Sequence, residues 1–150
     1  MQTPSAVLNI GADVAKDEIV VACSEGSFPV RTLANQRTAL RAFLKGLPVG
    51  SRLGMESTGT HHELLANAAH QLGFIVFVLN PKDVRHYAKA VGQRGKTDRV
   101  DAELIARMIA HEHPKLHAWV PPTPEQREMA RLLKRPRQVE FIASGARHVA

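Results

Sequence analysis

Two aspartates three residues apart, Asp98 and Asp101, are the residues in this sequence that are most clearly suited to chemistry. They fall in the segment 92–110, which begins as a basic loop and then runs without Gly or Pro after Thr97, a pattern that favours a helix. On that helix the two acids share a face that continues into apolar residues. A carboxylate beside an apolar stripe is costly unless a cation or hydrogen-bond donors neutralise it. The pair indicates a cation site, with a first-turn helix cap or a surface ion-pair network as the alternative.

Composition limits the class of protein. The chain has 150 residues, of which 44% are apolar, and this suits one ordinary domain with a real core. It has no membrane-length apolar run and no signal-peptide pattern, so we expect a cytoplasmic protein without a membrane partner. A single cysteine, Cys23, excludes an internal disulfide and a cysteine-rich zinc site. The net charge of +6 favours a polyanionic partner such as nucleic acid.

The hydrophobic pattern predicts five strands interleaved with helices. The predicted strands cover residues 7–13, 18–23, 28–33, 52–55 and 74–79. The predicted helices cover residues 37–47, 61–72, 81–91, the segment 97–110 and a last helix over 124–133. Between the last two helices, residues 111–124 hold several prolines and the only Trp, which indicates an extended arm.

This order of elements is that of a ribonuclease H-like α/β fold, in which helices flank a mixed sheet with strand order 3-2-1-4-5. A parallel crossover places the fourth strand beside the first. Asp13 then ends the first strand and Glu56 follows the fourth, so both carboxylates emerge at one edge of the sheet. A helix packed across that edge would bring Asp98 and Asp101 to them.

Four carboxylates in one cleft would repel one another strongly if left bare. One or two Mg²⁺ ions, with Mn²⁺ as a substitute, are the natural neutralisers because they take oxygen ligands and substrate phosphate oxygens. Two such ions stabilise the entering and leaving oxygens of a phosphodiester displacement. Singly the acids have plainer interpretations, since Asp13 would simply end a strand and Glu56 lies beside residues that could cap a helix.

Basic residues surround the acidic motif and would suit the phosphates of a nucleic acid. They are Lys82, Arg85, Lys89, Arg94, Lys96 and Arg99. A solvated helix face is the alternative for such a run. His61 and His62, after Glu56, would serve as proton carriers or, more simply, as capping or surface residues.

Four motifs together resemble one family. They read Ile-Gly-Ala-Asp-Val-Ala-Lys at the first strand, Met-Glu-Ser-Thr-Gly after the fourth, Asn-Pro-Lys-Asp-Val-Arg-His-Tyr-Ala after the fifth, and Lys-Thr-Asp-Arg-Val-Asp-Ala-Glu-Leu-Ile-Ala on the acidic helix. Over about residues 5 to 135 the chain resembles the amino-terminal, RuvC-like domain of the DEDD-type insertion-sequence transposases, which include pilin-gene-inverting and bridge-RNA-guided recombinases. The resemblance implies Mg²⁺-binding catalytic roles for Asp13, Glu56, Asp98 and Asp101.

The resemblance also implies a domain plan and partners. We expect a RuvC-like DEDD catalytic domain over residues 1–112, then a proline-rich arm and the start of a helical extension over 113–150. Family members continue into a second domain with a nucleophilic serine, which we expect to be absent from a truncated chain. DNA, a guide RNA and a homo-oligomer in the full-length form are the implied partners. A stand-alone RuvC-like nuclease, an inactive nucleic-acid-binding remnant and a sugar-kinase or actin-type domain are the alternatives.

Overall fold

A computed structural model of the chain describes residues 6–93 and 98–133, without the side chains of 98–100. Its centre is a five-stranded mixed sheet with strand order β3-β2-β1-β4-β5, which confirms the predicted α/β class and order. The strands are β1 (Asn9–Val14), β2 (Glu18–Cys23), β3 (Arg31–Ala34), β4 (Arg52–Glu56) and β5 (Ile75–Leu79). The observed strands begin and end within three residues of the predicted ones.

The helices lie where the apolar periodicity predicts them. They are α1 (Arg37–Lys45), α2 (Glu63–Gln71), α3 (Pro81–Ala90), α4 (Asp98–Glu112) and α5 (Pro124–Leu133). The chain divides into two compact units, of which the first ends at Val120 and the second begins at Pro121 and contains α5. In the part of the chain that the structure describes, no helix is both long and apolar enough to cross a membrane.

The central strand β1 pairs antiparallel with β2 and parallel with β4. In the β1–β4 ladder Gly11 lies opposite Gly54, and the last pair is Ala12 with Met55. This pairing agrees with a crossover through α1, because parallel neighbours need a long connection. The ends of β1 and β4 consequently lie side by side, as the sequence predicts.

Alternating residues of the strands face two different helical layers. Ile10 and Ala12 of β1 and Met55 of β4 belong to a buried apolar cluster that includes residues of α1 and α2. On β5 the residues Phe77 and Leu79 belong instead to a second cluster. That second cluster includes the apolar residues Leu104, Ile105, Met108 and Ile109 of α4. Because successive strand residues point to opposite faces, the odd-numbered residues of β1 and the even-numbered residues of β4 face α4.

The segment after α4 departs from the predicted extended arm. A short 3₁₀ helix, His113–Lys115, follows α4, and the Trp119 amide then donates a hydrogen bond of 2.6 Å to the Val76 carbonyl oxygen of β5. Trp119 is partly buried there, with its ring edge-on to His70 at 6.2 Å between centroids. Because β5 ends the sheet, this bridge pairs a backbone carbonyl that an edge strand leaves open. Residues 113–120 therefore belong to the first compact unit, and Trp119 has a packing role.

Candidate active site

Helix α4 lies directly on the backbone of β1 and β4 because two paired glycines leave room for it. A Cβ atom added to Gly11 would collide with the backbone carbonyl oxygen of Ala102 and the backbone nitrogen of Ala106. A Cβ atom added to Gly54 would collide with the side chain of Ile109. Glycine inside a strand often marks such a close approach. We call Gly11 and Gly54 the glycine platform, and it sets the height of α4 above the sheet.

The glycine platform also determines where the strand acids lie. Asp13 and Glu56 each follow a platform glycine by two residues, so both are on the sheet face that α4 covers. They come one residue after the last ladder pair, Ala12 and Met55, at neighbouring strand ends. Both side chains are half-buried. The predicted meeting of two carboxylates at one edge of the sheet therefore has the required backbone geometry.

Asp101 reaches the same region from the helix. It immediately precedes Ala102, the residue whose carbonyl oxygen lies over Gly11, and it is half-buried. Glu56 and Asp101 line one pocket of about 370 Å³ whose inner wall includes Ile105. Two acids that are distant in sequence thus share one concave site.

The other two predicted acids are Asp13 and Asp98. Asp13 lies on the adjacent strand and is not among the residues that line the pocket. Asp98 is the first residue of α4, but its side chain lies outside the described residues. Among the described residues, Asp13, Glu56 and Asp101 are not grouped as a three-ligand metal site, so the fourfold grouping of carboxylates stays a prediction.

Helix α3 supplies two cationic side chains to the lining of the same pocket. Arg85 and Lys89, one helical turn apart, both line it and both are exposed. Lys82, one turn before Arg85, is exposed on the same helix but does not line the pocket. Of the other predicted phosphate contacts, Arg94, Lys96 and the Arg99 side chain lie outside the described residues.

The Asn-Pro-Lys-Asp motif has a structural role in placing these cations. Asn80 is the N-cap of α3, and its side-chain oxygen accepts a hydrogen bond of 2.8 Å from the Lys82 amide. Pro81 occupies the first helical turn, where a missing N–H costs nothing. The motif therefore starts α3 at a defined residue after β5 and places Arg85 and Lys89 beside Glu56.

Two polar residues organise the turns around the acids, and the sequence points only to the second of them, His62. Asn35, between β3 and α1, is buried, and its side-chain amide donates hydrogen bonds to the carbonyl oxygens of Ala15 and His61. His62 accepts a hydrogen bond of 3.2 Å at Nδ1 from the Thr58 amide. The sequence signal for Asn35 was weak, because a single Asn without periodic neighbours predicts neither burial nor a partner.

The histidines at the end of α4 and just beyond it are not grouped as a metal site. The hydroxyl oxygen of Tyr87 lies 3.0 Å from Nδ1 of His111, and Nδ1 of His113 lies 3.0 Å from the carbonyl oxygen of Ile109. Within residues 6–93 and 98–133, no three His, Cys, Asp or Glu side chains are grouped so as to hold a metal ion. Tyr87 is partly buried against the second apolar cluster, which indicates a core role for its ring.

Comparison with known families gives a match over most of the chain. The model of a transposase family, the DEDD transposases of the IS110 group, matches residues 10–140. The chain belongs to the IS110 family of DEDD transposases. This confirms the family inferred from the four motifs, and the matched range includes both platform glycines and all four predicted acids of this transposase.

Two curated relatives are similar to part of this IS110-family chain. The pilin gene-inverting protein of Moraxella bovis is 41% identical over 80 residues, and that of Moraxella lacunata is 40% identical over 80 residues. Each alignment covers 53% of this chain and 24% of the relative. The alignments thus span about a quarter of the length of these relatives.

The carboxylate ligands available in this IS110-family chain suit a hard divalent cation. Glu56 and Asp101 offer only carboxylate oxygens to the pocket, and Asp13 is the same kind of donor on the next strand. Mg²⁺ and similar ions prefer such ligands and complete their coordination with water and phosphate oxygens. An ion held by a few carboxylates would therefore leave positions for a nucleic-acid substrate.

We predict that His62 makes the IS110-family domain less stable at low pH. Burial lowers the pKa of the His62 imidazole below its usual 6.5, and the Glu63 carboxylate partly offsets this. Protonation would also remove the Nδ1 acceptor that the Thr58 amide needs. A lowered folded-state pKa means that the unfolded chain binds more protons, so this stability is complete above pH 6.5 and is lost as the pH falls through the folded-state pKa.

The measurement is urea unfolding at several pH values between 5 and 8 for the wild type and His62→Asn, which keeps an oxygen acceptor but does not titrate. We expect a smaller loss of unfolding free energy below pH 6.5 in the variant. His86→Asn, on the exposed surface of α3, is the control and should follow the wild type. Parallel pH profiles for the wild type and His62→Asn would contradict the assignment.

Proposed function

We propose that this chain supplies the metal-dependent phosphodiester chemistry of a DNA transposase or site-specific recombinase. The observation that carries the proposal is the shared pocket, which is lined by Glu56 and Asp101 together with Arg85 and Lys89. Carboxylates that hold a divalent cation and cationic side chains that hold phosphates are the groups that phosphoryl transfer requires. Asp13 and Asp98 complete the proposed Asp-Glu-Asp-Asp site, with Mg²⁺ as its cofactor and Mn²⁺ as a substitute.

Each protein group in the proposed site has a separate task. Asp13, Glu56, Asp98 and Asp101 would hold the cations, which when bound stabilise charge on the entering and leaving oxygens. Arg85 and Lys89 would bind the phosphates next to the reacting one and orient the strand. The glycine platform sets how closely α4 approaches β1 and β4, and with it the reach of Asp101 toward Asp13 and Glu56. The half-buried positions of Glu56 and Asp101 strengthen their attraction for a cation relative to bulk water.

The proposed substrate is DNA. Two relatives are named for inverting pilin genes, and we extend the recombination function, though not the particular target, to this chain. The family resemblance predicts that strand exchange also needs a serine-bearing domain, and it implies a guide RNA and a homo-oligomer as further partners. These remain parts of the proposal.

We predict that Arg85 and Lys89 bind phosphates. The double variant Arg85→Ala/Lys89→Ala should weaken DNA binding by more than about tenfold, because a hydrogen bond to a charged group contributes roughly 1.5–3 kcal/mol. It should also reduce the slope of log affinity against log salt concentration by about two, one for each lost phosphate contact. Fluorescence anisotropy with labelled DNA at several salt concentrations measures both quantities.

A matched control exists on the other helical layer. Arg41 and Lys45 of α1 have the same spacing and lie on the layer that covers the opposite sheet face. Arg41→Ala/Lys45→Ala should change the affinity by less than about twofold, because it leaves the charges of the pocket in place. Equal losses in the two double variants would indicate nonspecific attraction to the whole basic chain and would contradict a phosphate site at α3.

Ligand titration tests the proposed class of function. We expect Mn²⁺ to bind the 150-residue chain without a nucleotide and DNA to bind in a salt-dependent manner. Stabilisation by ATP with Mg²⁺, but not by Mg²⁺ alone, would favour a kinase or actin-type domain instead. DNA binding without any metal binding would favour an inactive remnant.

A further inference from the structure

The two turns that follow the strand acids are joined by one buried side chain, that of Asn35. The first turn comes after Asp13 and connects β1 with β2, and the second comes after Glu56 and leads to α2. Asn35 Nδ2 donates to the Ala15 carbonyl oxygen at 2.9 Å and to the His61 carbonyl oxygen at 3.0 Å. One amide group therefore connects the segments beyond both carboxylates.

The pairing between β1 and β4 does not extend to the two acids. It ends with Ala12 and Met55, and Asp13 and Glu56 come one residue later. There each acid pairs only with the other neighbour of its strand, Asp13 with Val20 of β2 and Glu56 with Leu79 of β5. The Asn35 amide connects the segment after β1 with the segment after β4. Along the sequence, each acid therefore lies between the β1–β4 ladder and this connection.

The chemistry of the contact requires an amide. Both partners are carbonyl oxygens, which only accept, so the side chain must donate two N–H groups at once. Ser and Thr have one donor, and an ionised Asp has none. Asn35 Oδ1 is buried with no hydrogen-bond partner among the described residues, which indicates that the position uses the donors of the amide. The Asn35 backbone amide also donates to the Asp17 carbonyl oxygen at 2.9 Å and anchors the residue to the first turn.

We propose that Asn35 is a positioning residue that sets the separation of Asp13 and Glu56 for metal binding, an inference that rests on the proposed function. Asn35 does not touch the cation. It holds the Ala15 and His61 carbonyl oxygens on one amide and thereby keeps the ends of β1 and β4 together. We call this arrangement the Asn35 clamp.

The test compares native-state metal affinity with stability. Asn35→Asp keeps the size of the side chain but removes both donors, and Asn35→Ala removes the side chain without adding charge. Binding of Mn²⁺ to the full 150-residue chain is measured from the electron paramagnetic resonance signal of free Mn²⁺, at a temperature at which each variant is folded by circular dichroism. Asn67 provides the matched control, because its Nδ2 also donates to a backbone carbonyl oxygen, that of Glu63 at 2.8 Å within α2.

We expect both Asn35 variants to bind Mn²⁺ at least about tenfold more weakly, as for loss of other groups that orient metal ligands. Asn67→Asp and Asn67→Ala should remain within about twofold of the wild type, because they alter only a contact within α2. For Asn35→Asp the direction of the change in Mn²⁺ affinity is diagnostic, since the added negative charge alone would strengthen cation binding. Lower thermal stability with unchanged Mn²⁺ affinity would show a purely structural role and overturn the clamp.

The wild type provides a second measurement that does not depend on the folding of a variant. Saturating Mg²⁺ should slow amide hydrogen exchange at Ala15, Asn35 and His61 together, because a cation held by both acids fixes the two turns. Unchanged exchange at these amides in wild-type protein that binds Mg²⁺ would overturn the clamp alone. A wild type that binds no divalent cation would overturn the proposed function, and the clamp with it.

Discussion

Asp101→Asn is expected to abolish metal-dependent DNA processing by a full-length IS110-family transposase that carries this domain, while the domain still folds. Asp101 shares a pocket with Glu56, so the substitution removes a proposed ligand and leaves the size of the side chain almost unchanged. Mn²⁺ affinity should fall by more than about 100-fold, since loss of an outer partner of a ligand already costs roughly 10–100-fold. Without metal, the thermal midpoint should stay equal or rise slightly, because a carboxylate that repels its neighbours is gone.

An acid at the other end of the same helix gives the control. Glu112 is the last residue of α4, and its carboxylate lies 4.0 Å from the Lys115 ammonium group. Glu112→Gln should retain full Mn²⁺ affinity and DNA processing, because Glu112 does not line the pocket of Glu56 and Asp101. Recombination at the wild-type level by Asp101→Asn would remove Asp101 from the catalytic site.

Gly11→Ala is expected to destabilise the domain more than a methyl group added at either Gly54 or Gly46. The new Cβ atom would meet the backbone of Ala102 and Ala106, and backbone cannot move aside as the end of a side chain can. Overpacking a core typically costs about 1–3 kcal/mol and occasionally more, and we expect more than about 3 kcal/mol at this site. Lifting α4 from the sheet would also move Asp101 away from Glu56.

Two further glycines calibrate this result in urea unfolding experiments. Gly54→Ala should cost less than Gly11→Ala, because the atoms that it meets belong to the side chains of Ile105 and Ile109. Gly46→Ala should be nearly neutral, since Gly46 has φ −84° and the nearest atom to an added Cβ is 3.6 Å away. Similar stability losses for Gly11→Ala and Gly46→Ala would contradict the close approach of α4 to β1.

Much of the sheet could be predicted because its signals are local. Residues 18–23 combine β-branched residues with turn residues on both sides, and β2 spans the predicted range. The predicted strand order then followed from short connections and parallel crossovers, which leave few topologies to consider. The placement of Asp13 and Glu56 at neighbouring strand ends is a consequence of that topology.

The features that assemble the site could not be predicted because they depend on distant contacts. Gly11 and Gly54 are visible as glycines within strands, but only the fold shows that they face each other under one helix. Asn35 has no periodic neighbours that would indicate its two carbonyl partners. Trp119 likewise pairs with Val76 of an edge strand, and the helices α3 and α4 and the 3₁₀ helix lie between the two residues along the chain.

The location of a bound cation tests the central proposal most directly. Crystals of the 150-residue chain grown with Mn²⁺ and measured at a wavelength that gives strong manganese anomalous scattering would place the ion without assumptions about its ligands. We predict an anomalous peak within about 2.5 Å of carboxylate oxygens of Asp13, Glu56 and Asp101, a distance typical of oxygen ligands to hard divalent cations. An ion bound only elsewhere, or these three carboxylates too far apart to share one, would contradict the proposal.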